Sequence, residues 1–193
     1  MESKIRCEWC EKDDLYRNYH DNEWGKPVYD DAVLFEFLIL ETFQAGLSWH
    51  TILKKRENFK KAFDKFDVKK VAAYKDKKLQ ILIEDAGIIR NQLKIKSAVS
   101  NAQAFIKIQE EFGSFSKYIW NFVDGMPIDN KWQTLSEVPA TTPLSDRISK
   151  DLKKRGFKFV GSTVIMHTCK LQEWSMIMKQ TASDIMKFSY YKG

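Results

Sequence analysis

Two short segments of this chain concentrate residues able to grip a flat, polar ring. Residues 16–25 read Tyr-Arg-Asn-Tyr-His-Asp-Asn-Glu-Trp-Gly, and residues 41–50 read Glu-Thr-Phe-Gln-Ala-Gly-Leu-Ser-Trp-His. Aromatic faces stack on planar bases, and they hold a cationic base more strongly through the ring quadrupole. Trp9, Tyr16, Tyr19, Trp24 and Trp49 supply such faces. The plainer reading of each is core or half-core packing, where most Trp and Tyr residues sit. Glu41 ends an apolar run, Leu38-Ile39-Leu40, and a buried carboxylate is costly unless it is hydrogen-bonded or paired. Its partner is either a structural Tyr hydroxyl or Arg, or the exocyclic N–H groups of a bound base. In a basic protein the natural flat ring is a nucleobase.

A second constellation concerns metal. Cys7-Glu-Trp-Cys10 has the spacing of half a zinc knuckle, and His20 follows it. The other His and Cys residues are His50, His167 and Cys169, so a fourth ligand must come from a distant part of the chain. Cys7, Cys10 and Cys169 are too few, and odd in number, for a disulfide framework, which points to reduced thiols and a cytoplasmic protein. No apolar run follows the N-terminal charges, so no signal peptide is expected, and even Ala32–Leu40 is interrupted by Glu36, which argues against a membrane span. Lys and Arg total 32 against 26 Asp and Glu, a net charge of +6. That excess fits a polyanion partner and is equally ordinary for a protein without one.

The elements that must position these residues read as helices. Asp30 and Asp31 can cap a helix carrying Val33, Leu34, Phe37, Leu38 and Leu40, apolar nearly all round and so buried. Gly46 breaks it, and Ser48 caps the next, whose stripe runs Ile52, Arg56, Phe59, Phe63. Asp67 and Asp76 are the expected caps of two further short helices, the second with Leu79, Leu82 and Ile83 inward. Leu93, Val99, Ala102, Phe105 and Ile106 outline a long helix ending before Gly113, and Ser114 starts another. Residues 124–143 read as a loop, 144–155 as a helix stopped by Gly156, and Ser162 as the cap of a helix towards Leu171. A last helical pattern covers about 174–188, and no strand pattern is evident. The fold class is therefore all-α. A single unit over 1–193 is expected, with possible lobes over about 30–125 and over the paired termini 1–29 and 140–193.

Between the helices at 79–84 and 93–106, Asp85-Ala-Gly-Ile-Ile-Arg90 reads as a tight turn. Gly87 permits a left-handed backbone there. The free N–H groups at the next helix start can hold a phosphate, with Lys94 and Lys96 just downstream. This is the logic of a helix-hairpin-helix, a sequence-neutral grip on the DNA backbone. The bland alternative is a structural turn between packed helices.

With these residues in place, the chain resembles the 3-methyladenine DNA glycosylase I family of helix-hairpin-helix DNA glycosylases. The resemblance runs from about Cys7 to about Gly161. Its ordered blocks are Tyr19-His-Asp-Asn-Glu-Trp-Gly25, Gln44-Ala-Gly-Leu-Ser-Trp49, Leu53-Lys-Lys-Arg-Glu-Asn58, Asp85-Ala-Gly-Ile-Ile-Arg90 and Lys153-Lys-Arg-Gly-Phe-Lys-Phe-Val-Gly161. The resemblance implies a helical fold whose pocket takes an extruded 3-methyladenine from alkylated double-stranded DNA, with the free base as product. It implies that Tyr19 and Trp49 border the base, that Glu41 accepts hydrogen bonds from it, and that Trp9, Tyr16 and Trp24 build the pocket wall. The Gly87 turn, with Lys94, would sit on the phosphate backbone, and Gly46-Leu47 near the gap left by the flipped nucleotide. His167 would lie close to where the pocket is completed.

No lysine nucleophile is placed by a motif, so a monofunctional hydrolase that leaves an abasic site is expected; a monomer, with no cofactor required for the chemistry, is expected as well. The resemblance also implies a structural zinc tying the chain ends together. Its N-terminal half matches at Cys7 and His20. Its C-terminal His-x-x-x-Cys pair would fall near Met178 and Ala182, neither a ligand, so zinc is in doubt. The expectation is that packing of Trp174, Met176, Ile177, Ile185 and Met186 holds the termini instead.

Overall fold

The structure is a computed structural model, and it describes residues 6–126, 128–129, 137–171 and 175–176. Helices dominate: α1 (Asp14–Asn22), α2 (Asp31–Gln44), α3 (Trp49–Ala62), α4 (Val68–Ala72), α5 (Asp76–Glu84), α6 (Gln92–Phe112), α7 (Phe115–Trp120), α8 (Pro143–Lys154) and α9 (Ser162–Leu171). Local chemistry sets most starts. The Asp30 carboxylate accepts from Ala32 and Val33 N–H, Ser48 from Thr51 N–H, Asn91 from Lys94 N–H and Ser114 from Lys117 N–H. Each such cap contributes about 1 kcal/mol. Thr142 and Ser145 form a capping box at α8, with Pro143 in its first turn.

The centre of the molecule is α2. Every residue from Leu34 to Phe43 is buried, and the helix packs against α3, α6, α7 and α9. One buried apolar cluster extends from Tyr19 to Ile165 and includes Phe35, Phe43, Phe59, Phe105, Phe115 and Phe157. Each such ring contributes roughly 1.5–3 kcal/mol of burial. Glu41 thus sits on the most buried of the described helices, and its neighbours cannot move without disturbing the core.

Several sequence expectations need correction. Lys75 is the N-cap residue of α5; Asp76 lies inside its first turn, where its charge still suits the helix dipole. Leu93 is 69 % exposed because the first turn of α6 overhangs the core, and the inward stripe begins at Ile95 and Ala98. Ser162 is the first residue of α9, its hydroxyl paired with that of Ser145 at 2.8 Å. Within the stretch read as a loop, Ile128–Asp129 pairs in parallel with Ser175–Met176 as a two-residue ladder. Ser175–Met176 is thus a strand where the helix expected at 174–188 would begin; the rest of that helix and the packing expected of Trp174, Ile177, Ile185 and Met186 lie outside the described residues, as does the Met176 side chain.

Candidate functional site

Three elements converge on one buried point. Tyr19 comes from α1, Glu41 from α2, and Trp49 opens α3 directly after its Ser48 cap. The Tyr19 and Trp49 rings lie 5.6 Å apart between centroids at 54°, and Phe37 stacks on Trp49 at 6.3 Å. Tyr19, Glu41 and Trp49 are all buried, Glu41 to 1 % exposure. Most buried polar atoms in folded proteins have a partner. Here four side-chain atoms have none: the Tyr19 hydroxyl, both Glu41 carboxyl oxygens and the Trp49 indole N–H. They are all such atoms found among the described residues, and they belong to three residues that the sequence alone put forward.

The electrostatics follow from this burial. It pushes the Glu41 carboxyl well above the usual carboxylate range, because loss of water disfavours the ionised form. It also pushes the Tyr19 phenol well up, with further contributions from Glu41 and Glu23 and partial relief from Arg56. The site therefore offers donors from Tyr19 and Trp49 beside a carboxyl group whose ionised form lacks any cationic partner. A flat cation that donates hydrogen bonds would satisfy both needs.

An outer layer of rings backs this point. Trp9 meets Tyr16 at 4.8 Å, Trp24 and His20 each at 5.4 Å, and Tyr19 at 6.4 Å. All three of Trp9, Tyr16 and Trp24 are half-buried, packed against the core beside Tyr19. Sequence reasoning missed what fixes them. Arg56 donates to Glu23 and Glu36, both at 2.6 Å, and lies 5.2 Å over the Phe37 ring, so one guanidinium clamps α1, α2 and α3 together. The available signal was an arginine on the inward stripe of α3. Likewise Asp13 caps α1 through Tyr16 N–H while its other oxygen holds His50 Nε2 at 2.6 Å, and the His50 ring stacks on Tyr16 at 4.8 Å.

His20 belongs to this layer. Its ring stacks on Trp24 at 5.2 Å, its Nδ1 faces Asp21 at 3.1 Å, and its Nε2 accepts from Cys7 N–H at 3.5 Å. Cys7 and His20 are thus adjacent, but the Cys10 thiol donates to the Cys7 carbonyl. No group of three or more His, Cys, Asp or Glu able to hold a metal occurs among the described residues, and the segment 171–193 contains neither His nor Cys. These donors do not fit the four-ligand zinc site that the resemblance implies.

At the turn before α6, Gly87 is needed for a reason other than the one expected. Its φ is not positive; instead a Cβ there would meet Asp85 Oδ1 at 2.9 Å and Asn58 Cβ at 3.3 Å. The turn is pinned to α3, because the Gly87 carbonyl accepts from Lys55 at 3.1 Å and from Asn58 at 3.3 Å. Lys94 is a clear correction. It is buried, and its ammonium donates to the Phe43 and Ala45 carbonyls at 3.0 and 2.7 Å, so it does not reach out to a phosphate. Gly46 has φ +85°, and Leu47 beside it is exposed. His167 lies half-buried on α9, the helix that packs on α2; the Cys169 side chain lies outside the described residues.

The family model of methyladenine glycosylases matches residues 9–183. The DNA-3-methyladenine glycosylase 1 of Escherichia coli K12 is 48 % identical over 169 residues, covering 86 % of this chain and 90 % of that protein. Among solved structures, 3-methyladenine DNA glycosylase I of Staphylococcus aureus, reported as the structural basis of 3-methyladenine recognition, superposes with a TM-score of 0.88 at 36 % identity. That match covers 94 % of this chain and 97 % of the other. A Tyr-to-Phe variant of a 3-methyladenine DNA glycosylase I, in complex with 3-methyladenine, gives a TM-score of 0.87 at 36 % identity, covering 90 % and 94 %.

Proposed function

We infer the chemistry of this chain from a firm premise: it belongs to the methyladenine glycosylase family. It is a DNA-3-methyladenine glycosylase, a base-excision repair enzyme that removes 3-methyladenine. The observation that supports placing the base at Tyr19, Glu41 and Trp49 is the cluster of unpartnered polar atoms on these residues.

The duplex is held from outside, and the damaged nucleotide is extruded into the site, a step that is cheapest for a weakly paired base. Methylation at N3 leaves the adenine ring positively charged. Tyr19 and Trp49 border that ring, and Trp9, Tyr16 and Trp24 hold the wall behind them. On entry of the cationic ring, any proton on the Glu41 carboxyl passes to solvent, and the carboxylate then accepts charge-assisted hydrogen bonds from the ring. Neutral adenine offers no such compensation, so it is discriminated against. When the bond between C1′ and the base breaks, its electron pair neutralises the ring. Water then supplies a hydroxyl to C1′ and releases a proton, leaving an abasic site and free 3-methyladenine. The base is already a good leaving group, so selective binding and a dry site carry the reaction without a covalent enzyme intermediate.

Gly46-Leu47 borders the gap in the duplex, the Gly87 turn rests on the backbone, and His167 stands at the rim of the pocket. The substrate partner is alkylated double-stranded DNA, and the enzyme works as a monomer in the cytoplasm without a cofactor. No described helix is long and apolar enough to cross a membrane. The test is base release from alkylated DNA by the wild type and by Glu41→Gln. Wild-type release with strong loss in the variant supports the reading. Tight binding to damaged duplex with no release by the wild type would make the protein a damage-binding module instead.

A further inference from the structure

We propose that Lys94 is a positioning residue that locks the Gly46–Leu47 loop to the start of α6, so that the grip of the hairpin on DNA sets where this loop meets the duplex. The proposal rests on the glycosylase reading above. It starts from a helix end that needs partners. The last carbonyls of α2 have no intrahelical donors, and the chain turns away there through Ala45, at ψ 115°, and Gly46, at φ +85°. Within the turn only Leu47 N–H returns to the Gln44 carbonyl, at 2.6 Å. Two further bonds come from another part of the chain: the Lys94 ammonium donates to the Phe43 carbonyl at 3.0 Å and to the Ala45 carbonyl at 2.7 Å.

A cation at the C-terminal end of a helix also complements its dipole. Lys94 is only 6 % exposed, and the loss of solvent pulls its ammonium below the usual lysine range. An ammonium so shielded from water is held by these two carbonyls.

The other end of the link is equally well defined. Lys94 stands in the first turn of α6, its own N–H held by the Asn91 side chain at 3.1 Å, and Asn91 N–H returns to the Ile89 carbonyl at 2.9 Å. The turn at 85–91 is itself fastened to α3 by Lys55 and Asn58. One side chain therefore joins the backbone-gripping turn to the loop that presents Leu47, a large apolar residue left 41 % exposed. An exposed apolar side chain beside an opened base step acts as a wedge, and a wedge works only if its backbone is held. A lysine at this point in the sequence would ordinarily be taken as a phosphate contact, and the two roles predict different behaviour.

The test uses the full-length protein and Lys94→Met, which keeps an unbranched apolar stem and removes the donors. Three quantities are compared: single-turnover base release, the salt dependence of duplex binding, and binding of free 3-methyladenine. Positioning predicts that base release falls by about tenfold to a hundredfold, that free-base binding changes far less, and that the slope of log affinity against log salt stays as in the wild type. A slope smaller by about 0.9 would mean that a phosphate contact had been lost, and that would overturn the proposal. So would unchanged base release. Combining Lys94→Met with Leu47→Ala should add little to the loss from Leu47→Ala alone, because both act through one loop; full additivity would also overturn it. If Lys94→Met does not fold, Lys94→Gln, which keeps one short donor, enters the same comparisons. Failure of the wild type to release base would instead remove the glycosylase reading itself.

Discussion

Asn101 on α6 and Glu41 on α2 are both polar, both essentially inaccessible, and both on central helices. Their surroundings differ completely. Asn101 donates to the Lys158 carbonyl at 3.1 Å and accepts from Lys158 N–H at 2.8 Å, so both halves of its amide are used. The same region is satisfied throughout: Tyr118 donates to Asp151, Ser149 to the Val160 carbonyl, and Asp31 accepts from Phe115 and Ser116 N–H. Glu41 has no partner at all, and neither do the polar atoms of Tyr19 and Trp49 beside it. A satisfied buried polar group serves the fold. An unsatisfied one costs the fold stability, and a protein that keeps three together is holding them for something else.

Substitutions should sort along this line. The largest effect is expected for Glu41→Gln: base release falls on the order of a hundredfold, measured on alkylated duplex under single-turnover conditions, while the protein stays folded. Near-wild-type release would place Glu41 on the side of Asn101. Next, Asn101→Leu strands both backbone groups of Lys158 and should lower stability by about 2–3 kcal/mol in denaturant titration, with base release at permissive temperature unchanged. Loss of activity without loss of stability would blur the distinction between the regions.

The smallest effect is in pH dependence. The folded-state pKa of Glu41 is raised above its unfolded value, so the ligand-free native state holds a proton that the unfolded chain gives up. Wild-type stability should therefore be greatest below the ordinary carboxylate range and fall as pH rises from there towards the raised folded value. Glu41→Gln should flatten this decline and be the more stable protein at neutral pH. Parallel stability curves for the two proteins would show that burial does not shift the Glu41 titration, and a wild-type stability that rises with pH relative to the variant would show an ionised, paired carboxylate.

Much of this contrast is legible in the sequence. The caps at Asp30, Ser48 and Ser114 are local chemistry, read from residues that lie next to the groups they bond. The oddity of Glu41 is visible because a carboxylate interrupts a run of apolar residues. What cannot be read there depends on contacts distant in sequence. Lys94 looks like any surface lysine until α6 is laid across the end of α2, about fifty residues away. Arg56 lies on the inward stripe of α3 in the sequence, but its partners Glu23 and Glu36 come from distant segments and cannot be read there. Leu93 fits the inward period of α6, but where a helix overhangs the core is set by its neighbours. Gly87 stands out in the sequence, but the cause is the approach of Asp85 and Asn58, which backbone preference alone does not reveal.

The claim that the unpartnered atoms of Tyr19, Glu41 and Trp49 form the base site is tested most directly by titrating free 3-methyladenine into the wild type and Glu41→Gln, with tryptophan fluorescence as the readout. A saturable change is expected in the wild type from Trp49 at the pocket edge, with binding weakened by about tenfold or more in the variant through loss of a charged hydrogen-bond partner. Equal affinity in the two proteins, or no saturable change in the wild type, would contradict it.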